Sequence, residues 1–282
     1  MTWLTTDDAG EFLATAGPFL ASRPVEHTLL LTVAETVRTR GRRAFGDADP
    51  LFGWWRSAGG DVGSAFLQTP PHPLLLSQAP DDAVTALAAM LAAAGRRLPA
   101  VNSTVAVAQL FAAEWRRHTA VTTEAGRRSR LYRLGTLVPP GPAVPGRSRV
   151  ASEADRDLLL DWHEAFGREV GEASPTIAGQ VDDRLGYGGL TLWEAHGAPV
   201  AMAGRTRQLA GVVRVAPVYT PAVLRGRGYG GAVTAAVSQA ALDMGASAVV
   251  LFTDLANPTS NALYTRLGYR PVQDQVMLAF TA

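Results

Sequence analysis

The residues best suited to chemistry lie in the last quarter of the sequence. Arg225-Gly226-Arg227-Gly228-Tyr229-Gly230-Gly231 falls between an apolar strand-like run and a helix-like run. Glycines let a backbone approach an anion with no Cβ in the way. The N–H groups of such a loop, beside the positive end of the helix that follows, can cradle a phosphate. The spacing therefore predicts a phosphate or pyrophosphate site over residues 225–231, with a plain flexible loop as the alternative. Downstream, Asp254, Asn257, Asn261 and Tyr264 supply a carboxylate, two amides and a phenol. On a helix starting near Asn257, positions 257, 261 and 264 share one face.

Gly226, Gly228 and Gly231 also satisfy G-x-G-x-x-G, with Asp254 lying 23 residues beyond Gly231. A dinucleotide-binding turn places its first glycine directly after the strand. Here Thr220 to Arg225 intervenes, and too little chain follows Asp254 to complete a doubly wound sheet. That reading is rejected.

Two missing residue types narrow the chemistry further. The chain has no cysteine, which excludes thiolate nucleophiles, disulfides and cysteine-ligated metals. It has no lysine either: all 26 basic residues are arginine. A lysine-dependent P-loop and Schiff-base chemistry are excluded with it. The five histidines are scattered, with no metal-ligand spacing, so no metal is expected.

These residues need a scaffold. The 282 residues are 47% hydrophobic and 18% charged, with net charge +1. That suits a globular chain with a substantial core and gives no field for nucleic acid or an anionic membrane. No apolar run spans a bilayer and no signal peptide is evident, so a cytoplasmic location is the default expectation. Leu137 to Arg149 holds four prolines and two glycines and reads as an exposed connection. It divides the chain into residues 1–138, a Pro/Gly-rich linker at 139–148, and residues 149–282.

In the second part, Ser152 is set to cap a helix through Phe166, and Pro175 to Leu185 reads as a shorter helix. Strands are expected at Leu190–Ala195, Pro199–Arg207, Val212–Tyr219 and Ala248–Thr253. Helices are expected from Tyr229 to Met244, with Gly245 closing, and from Asn257-Pro258 to Gly268. One or two strands then close the chain over Tyr269–Phe280. The first part repeats this order faintly, from element order alone.

Together, PVYTPAVLRGRGYGG and FTDLANPTSNALYTRLGYRP resemble the GCN5-related N-acetyltransferase (GNAT) superfamily. The acetyl-CoA signature Q/R-x-x-G-x-G/A is met by Arg225, Gly228 and Gly230. The second signature is met by Asn257, Tyr264 seven residues later, and Gly268-Tyr269. The resemblance covers 149–282. It implies an α/β (α+β) fold of two tandem GNAT-like domains, each a twisted mixed β-sheet flanked by helices. In the family two parallel strands splay around the cofactor; carried over, these are Val212–Tyr219 and Ala248–Thr253. Backbone groups of Val218, Tyr219 and Thr220 would pair with the pantetheine arm. Arg225, Gly226, Arg227, Gly228, Tyr229, Gly230 and Gly231 would hold the pyrophosphate, with Asn257, Asn261 and Tyr264 facing the cofactor.

The implied activity is acetyl transfer from acetyl-CoA to a small-molecule amine. Without cysteine, the amine must attack directly in a ternary complex. Tyr264 is the expected proton donor to the thiolate, because a phenol of pKa ~10 still carries its proton at neutral pH. Asn257 has the competing role of a helix cap. The general base is open among Asp254, Glu194, Glu169 and Glu172. The first part has no glycine in its two candidate loops, Gln68–Pro73 and Gln78–Asp81, and has Gln109 where the motif needs Tyr. It reads as a degenerate GNAT-like domain. Other readings are a non-catalytic acyl-CoA sensor and a tandem acetyltransferase similar to mycothiol synthase.

Overall fold

The computed structural model describes residues 1–141, 143–171 and 176–281. In chain order its elements are β1 (Thr2–Thr6), α1 (Ala9–Ser22), α2 (Thr28–Arg40), β2 (Leu51–Arg56), β3 (Val62–Gln68), β4 (Leu74–Leu76), α3 (Asp81–Ala93), β5 (Ala100–Thr104), α4 (Val105–His118) and β6 (Thr122–Leu134). There follow β7 (Arg147–Val150), α5 (Arg156–Val170), α6 (Ile177–Gly186), β8 (Leu190–Ala195), β9 (Ala198–Arg205), β10 (Val212–Tyr219), α7 (Tyr229–Asp243), β11 (Ala248–Asp254), α8 (Pro258–Arg266) and β12 (Tyr269–Thr281). The second series repeats the first element for element. The pairing repeats as well: β1 to β4 and β7 to β10 run antiparallel to their neighbours, while β4–β5 and β10–β11 are parallel.

The chain forms two compact units. The first comprises Met1–Arg130, Asp254–Ala256 and Gln273–Ala282; the second comprises Leu131–Thr253 and Asn257–Val272. This division differs from a single cut at 139–148, and strand pairing gives the reason. The end of β12 pairs antiparallel with β5, Gln275 opposite Thr104 and Ala279 opposite Ala100. The end of β6 instead supplies Tyr132 and Leu134 to the core of the second unit. Each unit is therefore closed by a strand from the other part of the sequence.

In the first unit the strand order is β1-β2-β3-β4-β5-β12-β6. Leu87 and Leu91 of α3 and Phe111 and Trp115 of α4 pack with Phe66, Val101 and Phe280. In the second the order is β6-β11-β10-β9-β8-β7. One face of its sheet carries α7, whose Val233 and Val237 pack on Val213, Val215, Val249 and Leu251. The other carries α5 and α6, whose Leu159, Val181 and Leu185 pack on Leu192 and Met202. Burying each large apolar side chain is worth about 1.5–3 kcal/mol, which is what holds both helix layers down.

Several local expectations change. Strands β1 and β7 were not anticipated: Arg147–Val150 is polar in sequence, yet it pairs with Thr191–Glu194. The Pro/Gly-rich connection is partly packed: Leu137 and Val144 join the core of the second unit, and the Trp193 indole N–H donates to Pro145 O at 2.9 Å. Helix α6 begins at Ile177; Pro142, Glu172 and Pro175 lie outside the described residues.

Candidate functional site

Strand β10 pairs with β11 only from Val212 opposite Ala248 to Arg214 opposite Val250. Beyond Val215 a register irregularity shifts β10 against β9, where Val218 and Tyr219 face Ala203 and Met202. On the β11 side, residues 215–219 have no strand partner among the described residues. Pro217, which has no N–H to give a ladder, lies in this stretch. The anticipated splay of these two strands is thus present.

The chain leaves β10 through a short 3₁₀ turn, Ala222–Leu224, and enters α7 at Gly228. Gly228 has φ +83° and caps α7 without any side chain. A Cβ there would lie 2.9 Å from Val144 Cγ2, so both the left-handed backbone and the space demand glycine. The ladder of α7 begins with Ala232 N–H donating to Gly228 O. The amides of Tyr229, Gly230 and Gly231 are therefore the unsatisfied donors of the helix start. The Tyr229 ring is buried in the core, so only its backbone is offered.

Arg225 is otherwise engaged. Its Nε donates to Thr220 O at 2.9 Å, and its Nη2 lies 2.6 and 2.7 Å from the two carboxylate oxygens of Glu169 at the end of α5. Its guanidinium carbon sits 5.9 Å from the centre of the Tyr219 ring, which in turn contacts Trp162 of α5. Arg227 is exposed and, among the described residues, makes a single long contact, 3.5 Å, to Val223 O.

Helix α8 opens as its sequence dictates. Asn257 Oδ1 accepts from Ser260 N–H at 3.0 Å and Pro258 occupies the first turn, so Asn257 is the cap. One turn on, Asn261 Nδ2 donates to Asn257 O at 2.7 Å, and its Oδ1 accepts from the Tyr132 hydroxyl at 2.9 Å. Tyr264 is buried, its ring 6.0 Å from that of Tyr269 and nearly edge-on. Burial pushes its phenol up to about 12, so it stays protonated. Its hydroxyl has no hydrogen-bond partner among the described residues, whereas that of Tyr269 is tied to Ser238 at 2.7 Å. Gly268, with φ +97°, ends the helix where a Cβ would run into Thr136 O.

Against this geometry, residues 154–269 match the model of the Acetyltransferase (GNAT) family. These residues form a GNAT acetyltransferase domain. Solved structures agree in fold along nearly the whole chain. A GNAT-family acetyltransferase from Colwellia psychrerythraea gives a TM-score of 0.62 at 9% identity, covering 99% of each chain. A GCN5-related N-acetyltransferase from Sphaerobacter thermophilus gives 0.62 at 16% identity, covering 98% of this chain and 94% of its own. One from Kribbella flavida gives 0.57 at 20% identity, over 93% and 96%. At such identities the likeness is one of fold. A comparison with curated proteins gives no match. The chain thus carries a GNAT acetyltransferase domain over these residues, within a mixed α/β fold.

Within and around this GNAT domain the carboxylates expected as bases have other partners. Glu169 holds Arg225. Glu194 accepts from Arg149 Nε at 2.6 Å, and the same guanidinium reaches both oxygens of Asp155 at 2.7 Å. Asp155 also accepts from Ser152 N–H and Oγ, closing a capping box before α5. Asp254, at the end of β11, accepts from Ala256 N–H at 2.8 Å in the turn before α8. Glu172 lies outside the described residues. Among the described residues no group of three or more His, Cys, Asp or Glu is arranged to hold a metal, and no helix is long and apolar enough to cross a membrane.

Sequence reasoning missed three partners: Tyr132 on Asn261, Glu169 on Arg225, and the pair of acids on Arg149. The first lies 129 residues from its partner, and no spacing rule reaches so far. The third had a local signal in Ser152-x-x-Asp155, a capping-box pattern with Asp in the last position.

Proposed function

We propose that this chain transfers an acetyl group from acetyl-CoA to the amine of a small molecule, by direct attack in a ternary complex. The observation that carries the reading is one conjunction within the second unit. A parallel strand pair opens beyond Arg214–Val250, and the chain leaving it ends in a helix start whose N–H donors have no cap. An opened strand has free backbone groups for an amide-bearing arm, and an uncapped glycine-rich helix start suits a pyrophosphate. When bound, acetyl-CoA supplies the activated acyl carbon and a thiolate leaving group.

The chain's own residues have these roles in the proposal. Val218, Tyr219 and Thr220 present backbone groups along the opening. The amides of residues 226–231 hold the phosphates, with Arg225 and Arg227 adding charge. A main-chain N–H near Tyr219 polarises the acyl oxygen. As the amine's C–N bond forms and the C–S bond breaks, Tyr264 gives its proton to the departing sulfur. A phenol pushed up to about 12 by burial is fully protonated at neutral pH, so it carries the proton, although the same shift makes it the weaker acid. Asn257 caps α8, and Asn261, fixed by Tyr132, orients the same helix face. Asp254, at the end of β11, is proposed as the group that takes the amine proton. The division of labour is a catalytic second domain and a degenerate first one.

Calorimetric titration of acetyl-CoA, with thiol release followed in the presence of a primary-amine panel, tests the reading. Saturable binding with amine-dependent thiol release is expected. A folded protein that binds no acetyl-CoA overturns the reading; one that binds it but releases no thiol with any amine favours a sensor.

A further inference from the structure

Two buried polar atoms on the α5–α6 face of the second unit have no hydrogen-bond partner among the described residues. On β10, Val213 and Val215 point into the core under α7, so alternation puts Arg214 on the opposite face. Its backbone is held by Thr206, which both donates to Arg214 O and accepts from Arg214 N–H. Its Nη1, however, is sealed from solvent with no hydrogen bond, and no carboxylate pairs with it among the described residues. The acids of α6 are used elsewhere: Asp182 holds Arg156 and Asp183 holds Arg207. The charged group felt most strongly by Arg214 is another cation, Arg184; the Tyr187 phenol also faces it. Burial and Arg184 pull its pKa down to about 10, which still leaves a cation at neutral pH.

The second atom is His163 Nε2, buried and unpartnered. The other ring nitrogen, Nδ1, lies 2.7 Å from Leu159 O and must donate to it. Nε2 of the neutral ring therefore presents a lone pair. Leu159, one turn before His163 on α5, and Leu185, next to Arg184 on α6, pack on this same face of the sheet, so His163, Arg184 and Arg214 belong to one layer. A guanidinium N–H buried without an acceptor is costly, and such a cost is retained where a ligand supplies the missing partner. Arg214 is moreover the last β10 residue paired with β11, and so stands at the edge of the opening.

We infer that Arg214, together with Arg184 and His163 Nε2 from the helices packed on the same sheet face, forms an anion subsite that selects amine acceptors carrying a carboxylate. A carboxylate matches the two-pronged guanidinium, and an amino carboxylate also brings an N–H for the imidazole lone pair. This rests on the acetyl-transfer reading above for its place in catalysis, though not for its chemistry.

The test compares matched acceptors, amino acids against their neutral amides, at saturating acetyl-CoA. Wild type is expected to favour the acids at least tenfold in kcat/KM. Arg214→Gln should erase the preference through KM for the acid while leaving the amide reaction unchanged. Arg214→Gln should also melt no lower than wild type, since it removes a buried guanidinium N–H that has no acceptor among the described residues. Equal use of acids and amides by wild type, or unfolding of Arg214→Gln, overturns the inference. If no amine is acetylated, acetyl transfer is in question and the subsite is read directly. Phenylacetate titrated into wild type should bind at least tenfold more tightly than phenylacetamide, and Arg214→Gln should lose the difference. No discrimination there overturns the subsite by itself.

Discussion

Arg225 Nη2 sits between both carboxylate oxygens of Glu169, at 2.6 and 2.7 Å, tying the end of α5 to the loop before α7. The first arginine of the proposed phosphate loop is therefore held by an acid until an anion replaces it. Both side chains are nearly half exposed, so the pair itself is worth at most about 1 kcal/mol.

Glu169→Gln removes that competitor. Acetyl-CoA affinity should rise by about two- to fivefold, the equivalent of a surface ion pair, while Arg225→Gln should lower it by about tenfold. Calorimetry on the two variants checks both directions. Weaker binding in Glu169→Gln would mean that the acid supports the loop.

One acetyl-CoA should bind per chain. The turn that corresponds to the glycine loop in the first unit, between β4 and α3, contains no glycine. Helix α3 is preceded by Pro80, makes no side-chain cap, and carries Asp81 and Asp82 in its first turn. Those charges complement the helix dipole and would repel a phosphate. A stoichiometry of two would contradict this.

That asymmetry shows how far the sequence could be read. The glycine loop, the Asn257 cap and the strands Val212–Tyr219 and Ala248–Asp254 are local patterns, fixed by residues close in the chain, and they are legible; that the two strands part is implied only by the family resemblance. The closing strands were not. Nothing in Thr122–Leu134 or Tyr269–Thr281 states which sheet each completes, because that is decided by pairing with strands far away in sequence. Likewise Arg214 reads as an ordinary residue of a β-strand. Only its burial without a partner marks it, and burial is a property of the fold.

The closing strands give a prediction about dissection. A fragment of residues 149–282 lacks Tyr132, Leu134, Leu137 and Val144, all part of or packed on the second unit's core. Loss of buried side chains of this size costs about 2–5 kcal/mol apiece, against a total stability of about 5–15 kcal/mol. The fragment should lack a cooperative melt, whereas one starting at residue 122 should be better folded. Equal melting of the two would refute this role for β6.

Acid stability should follow Asp155. The Arg149 guanidinium, aided by Ser152, holds its carboxyl down to about 2 from an ordinary 3.8, although burial pushes the other way. A lowered folded-state pKa favours the folded protein at higher pH. The contribution is complete above about pH 4 and is lost as the pH falls toward 2. Asp155→Asn should cost about 1–3 kcal/mol at neutral pH, the range for hydrogen bonds to charged groups, and should flatten the melting profile between pH 4 and 2. An unchanged acid limb in the variant would assign the stability elsewhere.

The most direct test of the account is Tyr264→Phe, read as kcat and as acetyl-CoA affinity together. The substitution keeps the buried ring against Tyr269 and deletes only a hydroxyl with no hydrogen-bond partner among the described residues. Loss of a general acid typically lowers kcat by about 10²–10⁴, or about 3–5 kcal/mol of transition-state stabilisation. Cofactor affinity should hardly move, because a neutral thioester sulfur accepts hydrogen bonds poorly. The predicted result is thus a fallen kcat at constant affinity, the pattern of an interaction made in the transition state. Turnover within about threefold of wild type, with chemistry rate-limiting, would contradict the account and leave Tyr264 a packing residue.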